Sequence, residues 1–285
     1  MLDHDLDTRV LRRVVALKRF SLFEGVELSE LATLAQNVAE LTFEHGEKIA
    51  PIERAMSFVI DGAVAVPGSK PYRGGRIVGG LELLAGRAAP ADARAISGTR
   101  ILRLGADDMF DVLDDNFGLL AATVRGVAAL AAASHTSAGG AGTLELPEHL
   151  GLVDRLLLLR QQAPFARARI RALTTLAHAS EELTWAPGTE IVRAGALATG
   201  AFVVVNGIVR SPAAGPSRSL GPGAAFGLLE TLAGHAHRET LEAVTPVRAL
   251  ASTQAAILDV LEDHSDLGFA VLAKLAADVL DHRSS

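Results

Sequence analysis

Gly188-Thr189-Glu190-Ile191-Val192-Arg193-Ala194-Gly195, followed a few residues on by Phe202-Val203-Val204-Val205-Asn206-Gly207, is the stretch on which the reading of the fold turns. Short β-branched runs bounded by glycines read as strands, and Asn-Gly is a strong type I′ hairpin signal, so a strand pair is expected to turn there. The same signature stands earlier in the chain, as Phe58-Val59-Ile60 before Asp61-Gly62. That recurrence exposes an internal repeat. Arg13 to Gly46 runs without a gap alongside Arg155 to Gly188, 142 residues further on, pairing Phe23 with Phe165, Leu31 with Leu173, Leu34 with Leu176, Ala35 with Ala177 and Phe43 with Trp185. The offset grows to 145 at Gly62 and Gly207, and to 148 at Gly79 and Gly86, which match Gly227 and Gly234. It holds at 148 where Asp111-Val112-Leu113-Asp114-Asp115 meets Asp259-Val260-Leu261-Glu262-Asp263. Two insertions of three residues account for the drift.

Each copy changes period along its length. Leu28, Leu31, Leu34, Ala35 and Val38 recur at helical spacing, as do Ile170, Leu173, Leu176 and Ala177, and the strands follow. Each copy closes with an apolar helix rich in small residues, from about Asn116 to Ala133 and from about Ser265 to His282, suited to close packing against another helix. Ser134 to Gly142 is rich in Ser, Ala and Gly and reads as a linker. The expected organisation is a first domain over residues 1–135, a linker over 136–148 and a second domain over 149–285.

Composition narrows the function. The 285 residues are 49% hydrophobic and 21% charged, which suits ordinary packed cores. The absence of cysteine rules out disulfides, thiolate metal sites and cysteine nucleophiles. A net charge of −6 argues against DNA, whose phosphates are held by clustered Lys and Arg. No uninterrupted apolar run of about eighteen residues occurs, and the N-terminus opens on acidic residues, so neither membrane insertion nor secretion is expected and the cytoplasm is the default address. No HExxH, CxxC, P-loop or GxSxG elbow is present, and the expectation is a protein that is not an enzyme.

The glycine-punctuated strands of the second copy resemble the cyclic-nucleotide-binding domain of the catabolite activator protein family (CRP/FNR-like), and the resemblance covers almost the whole chain. It implies a mixed α+β fold: two jelly-roll-like β-rolls, each flanked by helices. It also implies a phosphate-binding cassette, which runs here from Phe226-Gly227-Leu228-Leu229 through His237, Arg238 and Thr240. These seven are the candidate ligand-binding residues. Leu228 stands where the family places the Glu that holds the ribose hydroxyl, and His237 where it places the Arg that pairs with phosphate, with Arg238 one place off. A neutral His cannot copy the bidentate fork of Arg, so cyclic AMP binding is expected to be weak or lost. The first copy is further from the pattern. Val78-Gly79-Gly80-Leu81 opens its cassette, Ala89 fills the Arg position, Asp92 the small polar one, and Arg87 lies out of register.

His235-Ala236-His237 lacks a third ligand and reads as a loop pair, so no metal is expected. Arg155, Arg160, Arg167, Arg169 and Arg171 read as a solvated helical face, with an anionic partner surface as the sharper alternative. Relatives that read DNA carry a helix-turn-helix after the closing helix, and no such module is expected here. The leading expectation is a regulatory or scaffolding protein that works on an unknown protein partner, a pseudo-dimer within the chain or a homodimer, with no cofactor. Two readings stay open beside it: a true cyclic nucleotide or cyclic dinucleotide sensor using the second pocket, and a structural component of a larger assembly.

Overall fold

The computed structural model describes residues 2–49, 54–88, 92–134, 147, 149–212 and 219–284. The chain forms two compact units, Met1–Thr123 with Ala276–Ser285, and Val124–Leu275. The proposed linker falls almost wholly outside the described residues.

The first unit opens with α1 (Leu2–Leu17), a 3₁₀ turn at Ser21–Phe23 and α2 (Leu28–Asn37). Leu31, Leu34 and Ala35 make the buried face of α2 at the spacing a helix requires. Seven strands follow: β1 (Ala39–Phe43), β2 (Ala55–Asp61), β3 (Ala63–Ala65), β4 (Tyr72–Arg73), β5 (Ile77–Val78), then, past α3 (Gly80–Leu84), β6 (Arg94–Ala95) and β7 (Thr99–Gly105). They form two antiparallel sheets, of order β1-β7-β2-β5 and β4-β3-β6. Alternation along β2 divides its side chains between two cores. Val59 joins Phe43, Ile49, Val64, Val78 and Ile101 inside the roll, while Phe58 packs edge-on to Phe20, ring centres 5.3 Å apart, and against Phe23 at 5.7 Å. The unit continues into α4 (Ala106–Asp115) and α5 (Phe117–Ser134), whose stretch from Val124 on belongs to the second unit. By length and apolarity α5 is able to cross a membrane, and half of it is buried.

The second unit repeats this order: α6 (Leu152–Gln161), a 3₁₀ turn at Ala163–Phe165, α7 (Ile170–His178), then β8 (Glu181–Trp185), β9 (Glu190–Val192), β10 (Gly200–Asn206), β11 (Val209–Arg210), β12 (Ser219–Leu220), β13 (Ala225–Phe226), α8 (Leu228–Ala233), β14 (Leu241–Ala243), β15 (Val247–Thr253), α9 (Gln254–Asp263) and α10 (Ser265–Ser284), whose stretch from Ala276 on belongs to the first unit. Its sheets run β8-β15-β10-β13 and β9-β14-β11-β12. The first is the order of β1-β7-β2-β5 strand for strand, and the second contains that of β4-β3-β6. The equivalence reaches single hydrogen bonds. Arg13 donates to the Ala35 carbonyl at 3.1 Å and Arg155 to the Ala177 carbonyl at 3.3 Å; Lys18 donates to Val26 at 2.8 Å and Arg160 to Ala168 at 3.1 Å. The two β-rolls with helical flanks are thus as expected.

One local expectation is corrected. Asp61-Gly62 and Asn206-Gly207 are not hairpin turns, because β2 and β3 lie in different sheets, as do β10 and β11. The chain bulges at Val59–Asp61 and Val204–Asn206 and crosses from one sheet to the other. Glycine is needed there for contact as well as conformation: Gly207 has φ +90°, and a Cβ on it would overlap the Pro246 carbonyl oxygen and stand 2.9 Å from Val247 Cα.

The basic run is the expected solvated face at Arg160, Arg167, Arg169 and Arg171, all exposed, with Arg155 drawn inward. Arg155 bonds the Ala177 and Ser180 carbonyls and pairs with Glu182 at 3.2 Å, Arg160 bonds Ala168, and Arg169 pairs with Asp266 at 3.2 Å. Arg155 closes the last turn of α7, where orphan carbonyls need donors. Arg167 and Arg171 remain exposed.

Candidate functional site

The cassette of the second roll begins where β13 hands over to α8 at Gly227. This residue takes φ +81°, and a Cβ on it would stand 2.8 Å from the Gly200 carbonyl oxygen, so the strand-to-helix turn admits only glycine. Thr231 is fully buried and donates to that same carbonyl at 2.8 Å, while Gln254 donates to the Thr231 carbonyl at 2.8 Å. Together they fix α8 against β10 and α9.

Phe226 faces Phe202 across the β10–β13 ladder, the rings stacked with centres 4.9 Å apart, and Phe202 meets Trp185 edge-on at 6.0 Å. His237 lies beside them. Its Cε1 is 3.5 Å from the place a Cβ on Gly227 would occupy, and Phe202 Cδ2 is 3.6 Å from that place. Backbone bonds hold this edge, from His237 to Ala196 at 2.8 Å and from Gly195 to His237 at 2.9 Å. Burial lowers the His237 pKa below the ordinary imidazole value, with Glu230 pulling weakly the other way, so the ring is neutral at pH 7. The linked stability follows from that sign. A base whose pKa is lowered on folding leaves the native state undisturbed above the unfolded value of about 6.5, and the unfolded state gains as pH falls below it. The expected result is that His237→Asn melts with a smaller loss between pH 7 and pH 5 than the parent chain, read by circular dichroism; identical pH slopes would refute the assignment.

The other candidate residues are drawn elsewhere. Arg238 donates its guanidinium to the Ala132 carbonyl in the last turn of α5. Thr240 accepts from the Ala194 amide at 3.1 Å. Leu228 and Leu229 open α8, half-buried, and Leu228 offers no acceptor to a ribose hydroxyl. Phe226, Gly227 and His237 therefore converge, while Arg238 and Thr240 have partners of their own. Sequence reasoning missed Phe202 and Trp185 as the aromatic wall; aromatics at the ends of glycine-bounded strands were the available signal.

The first roll carries a different interior at matched positions: Phe43, Ser57 and Val78 stand in place of Trp185, Phe202 and Phe226. Ser57 is buried and its hydroxyl has no hydrogen-bond partner among the described residues. Arg87 is held by Asp281 through two bonds of 2.7 and 3.1 Å, and Asp92 pairs with Lys48 at 3.1 Å. Ala89 lies outside the described residues. Among the described residues no three His, Asp or Glu side chains are placed to hold a metal ion.

The second unit is thus a β-roll entered through a helical hairpin, with a Phe-Gly cassette opening a short helix. The family model of the cyclic nucleotide-binding domain matches residues 182–264, within the second copy. No curated protein matches the chain. Among solved structures, the cAMP-bound regulatory domain of the Toxoplasma gondii protein kinase A is 16% identical with TM-score 0.35, covering 91% of this chain and 97% of that one. The regulatory subunit of a cAMP-independent protein kinase A from Trypanosoma brucei is 18% identical with TM-score 0.34, over 91% and 90%. The N-terminal domain of a transcriptional regulator from Streptomyces coelicolor is 22% identical with TM-score 0.40, over 44% of this chain and 91% of that domain.

Proposed function

We propose that this chain is a non-catalytic, cytoplasmic regulatory protein that acts on a protein partner, and that its second roll has given up cyclic-nucleotide phosphate as a ligand. The observation that carries the reading is the pairing at the cassette: a neutral, half-buried His237 sits against Gly227, and the neighbouring Arg238 is engaged by the Ala132 carbonyl. A cyclic phosphate is held by charge-assisted, bidentate donation, which a neutral imidazole does not offer and which Arg238 offers only on leaving the Ala132 carbonyl. Leu228 removes the ribose contact as well. The residues present do not fit a cyclic nucleotide bound in the family's manner. Titration calorimetry of the full chain with cyclic AMP, cyclic GMP and cyclic di-GMP is expected to give no saturable heat up to roughly 1 mM, a binding free energy weaker than about −4 kcal/mol. Micromolar binding that Arg238→Ala abolishes would replace this reading with that of a nucleotide sensor.

A further inference from the structure

Three apolar pairs at matched positions of the two copies are exposed in both. Leu11 is 64% exposed and Val153 66%, Val15 61% and Leu157 51%, Leu28 63% and Ile170 55%. A single exposed Leu is ordinary on a protein surface. Recurrence is not, because the same two copies have diverged inside their rolls, where Ser57 faces Phe202 in the alignment and Gly80 faces Leu228. Leu11 and Val15 lie one turn apart on α1, and Val153 and Leu157 one turn apart on α6, so each opening helix turns one stripe inward, through Val14 and Leu17 or Leu158 and Leu159, and a second apolar stripe outward.

The rims of these stripes are basic. Arg12 is exposed on α1 with Lys18 and Arg19 just past its end, and Arg160 is exposed on α6, with Arg167 and Arg171 exposed on either side of the start of α7. Arg12, Arg19, Arg167 and Arg171 make no ion pair among the described residues. In a chain of net charge −6, these are local reversals of sign. We infer that the outer faces of α1 and α6 are two equivalent docking surfaces for an acidic amphipathic helix of a partner protein. Such a helix buries its apolar side on the Leu/Val stripe and meets the arginines with its carboxylates. A membrane fits less well, since an overall negative chain is repelled by anionic lipid and two side chains per helix give little insertion. This rests on the reading of the chain as a protein-binding regulator and names the surface it would use.

The test uses the full chain and a synthetic helix of about five turns with Leu on one face and Glu on the other, beside the same peptide with Lys in place of Glu. The expected result is two Glu-peptide sites per chain, weakening as salt rises, and no binding of the Lys peptide. Leu11→Gln with Val15→Gln, or Val153→Gln with Leu157→Gln, is expected to leave one site, and the fourfold variant none. If a variant melts lower than the parent, the salt dependence and the comparison of the two peptides still decide. No binding of the Glu peptide, equal binding of both peptides, vesicle binding that the fourfold variant loses, or self-association that it loses would each overturn the inference. Should the Glu peptide fail while the nucleotides also give no heat, the inference falls and the regulatory reading stands.

Discussion

Gly207→Ala is expected to destabilise the second unit by about 3 kcal/mol or more, seen as a drop of roughly 10 °C in its melting midpoint by circular dichroism. Two costs add. A residue with a Cβ at φ +90° carries a penalty of about 1–2 kcal/mol for its left-handed backbone. The larger cost is overlap with backbone, since the Pro246 carbonyl oxygen and Val247 Cα lie at the entrance of β15, and moving them pulls apart the Val204–Ala249 and Asn206–Arg248 pairings. Gly188→Ala is the control: its φ is +80° but nothing lies within 4 Å of the added Cβ, so only the first cost, about 1 kcal/mol, applies. Equal losses for the two variants would show that the crossing between sheets is looser than described.

The second large effect is expected at Phe58. Its ring is 1% exposed and wedged between Phe20 and Phe23, joining the roll to the opening helices. Phe58→Ala removes the ring and leaves a cavity that β2, hydrogen-bonded on both sides, cannot collapse to fill, so a loss of about 3–5 kcal/mol follows. The matched position in the second copy is Val203, and the partner of Phe20 there is Gln162, which bonds the Gly223 and Leu158 carbonyls. Val203→Ala is therefore expected to cost roughly half as much or less. Urea unfolding of both variants decides, and a Phe58→Ala loss no greater than that of Val203→Ala would place the junction elsewhere.

The opening hairpins were legible because their information is local. A gapless stretch with helical periodicity gives the helices, and the matched bonds of Arg13 and Arg155 show that the alignment holds to the atom. The sheet crossings were misread for the opposite reason: Asn-Gly fixes a positive φ nearby, but whether the next strand pairs back or leaves is decided by the segment at Pro246 and Val247, about forty residues away. The site divides in the same way. Phe226, Gly227 and His237 converge because one short cassette carries them all. The partner of Arg238 is a helix carbonyl 106 residues distant, and spacing within the cassette holds no trace of it. Arg155, read as one charge in a solvated run, proved to be a cap whose acceptors lie 22 and 25 residues on.

The aromatic wall of the second roll has an optical consequence. Trp185 is the one tryptophan of the chain and packs on the core of the second roll, while the one tyrosine, Tyr72, packs on the core of the first. Each unit thus carries its own chromophore. Indole emission will follow the melting of the second roll and a ligand entering beside Phe202, whereas phenol absorbance will follow the first roll, without any label being added.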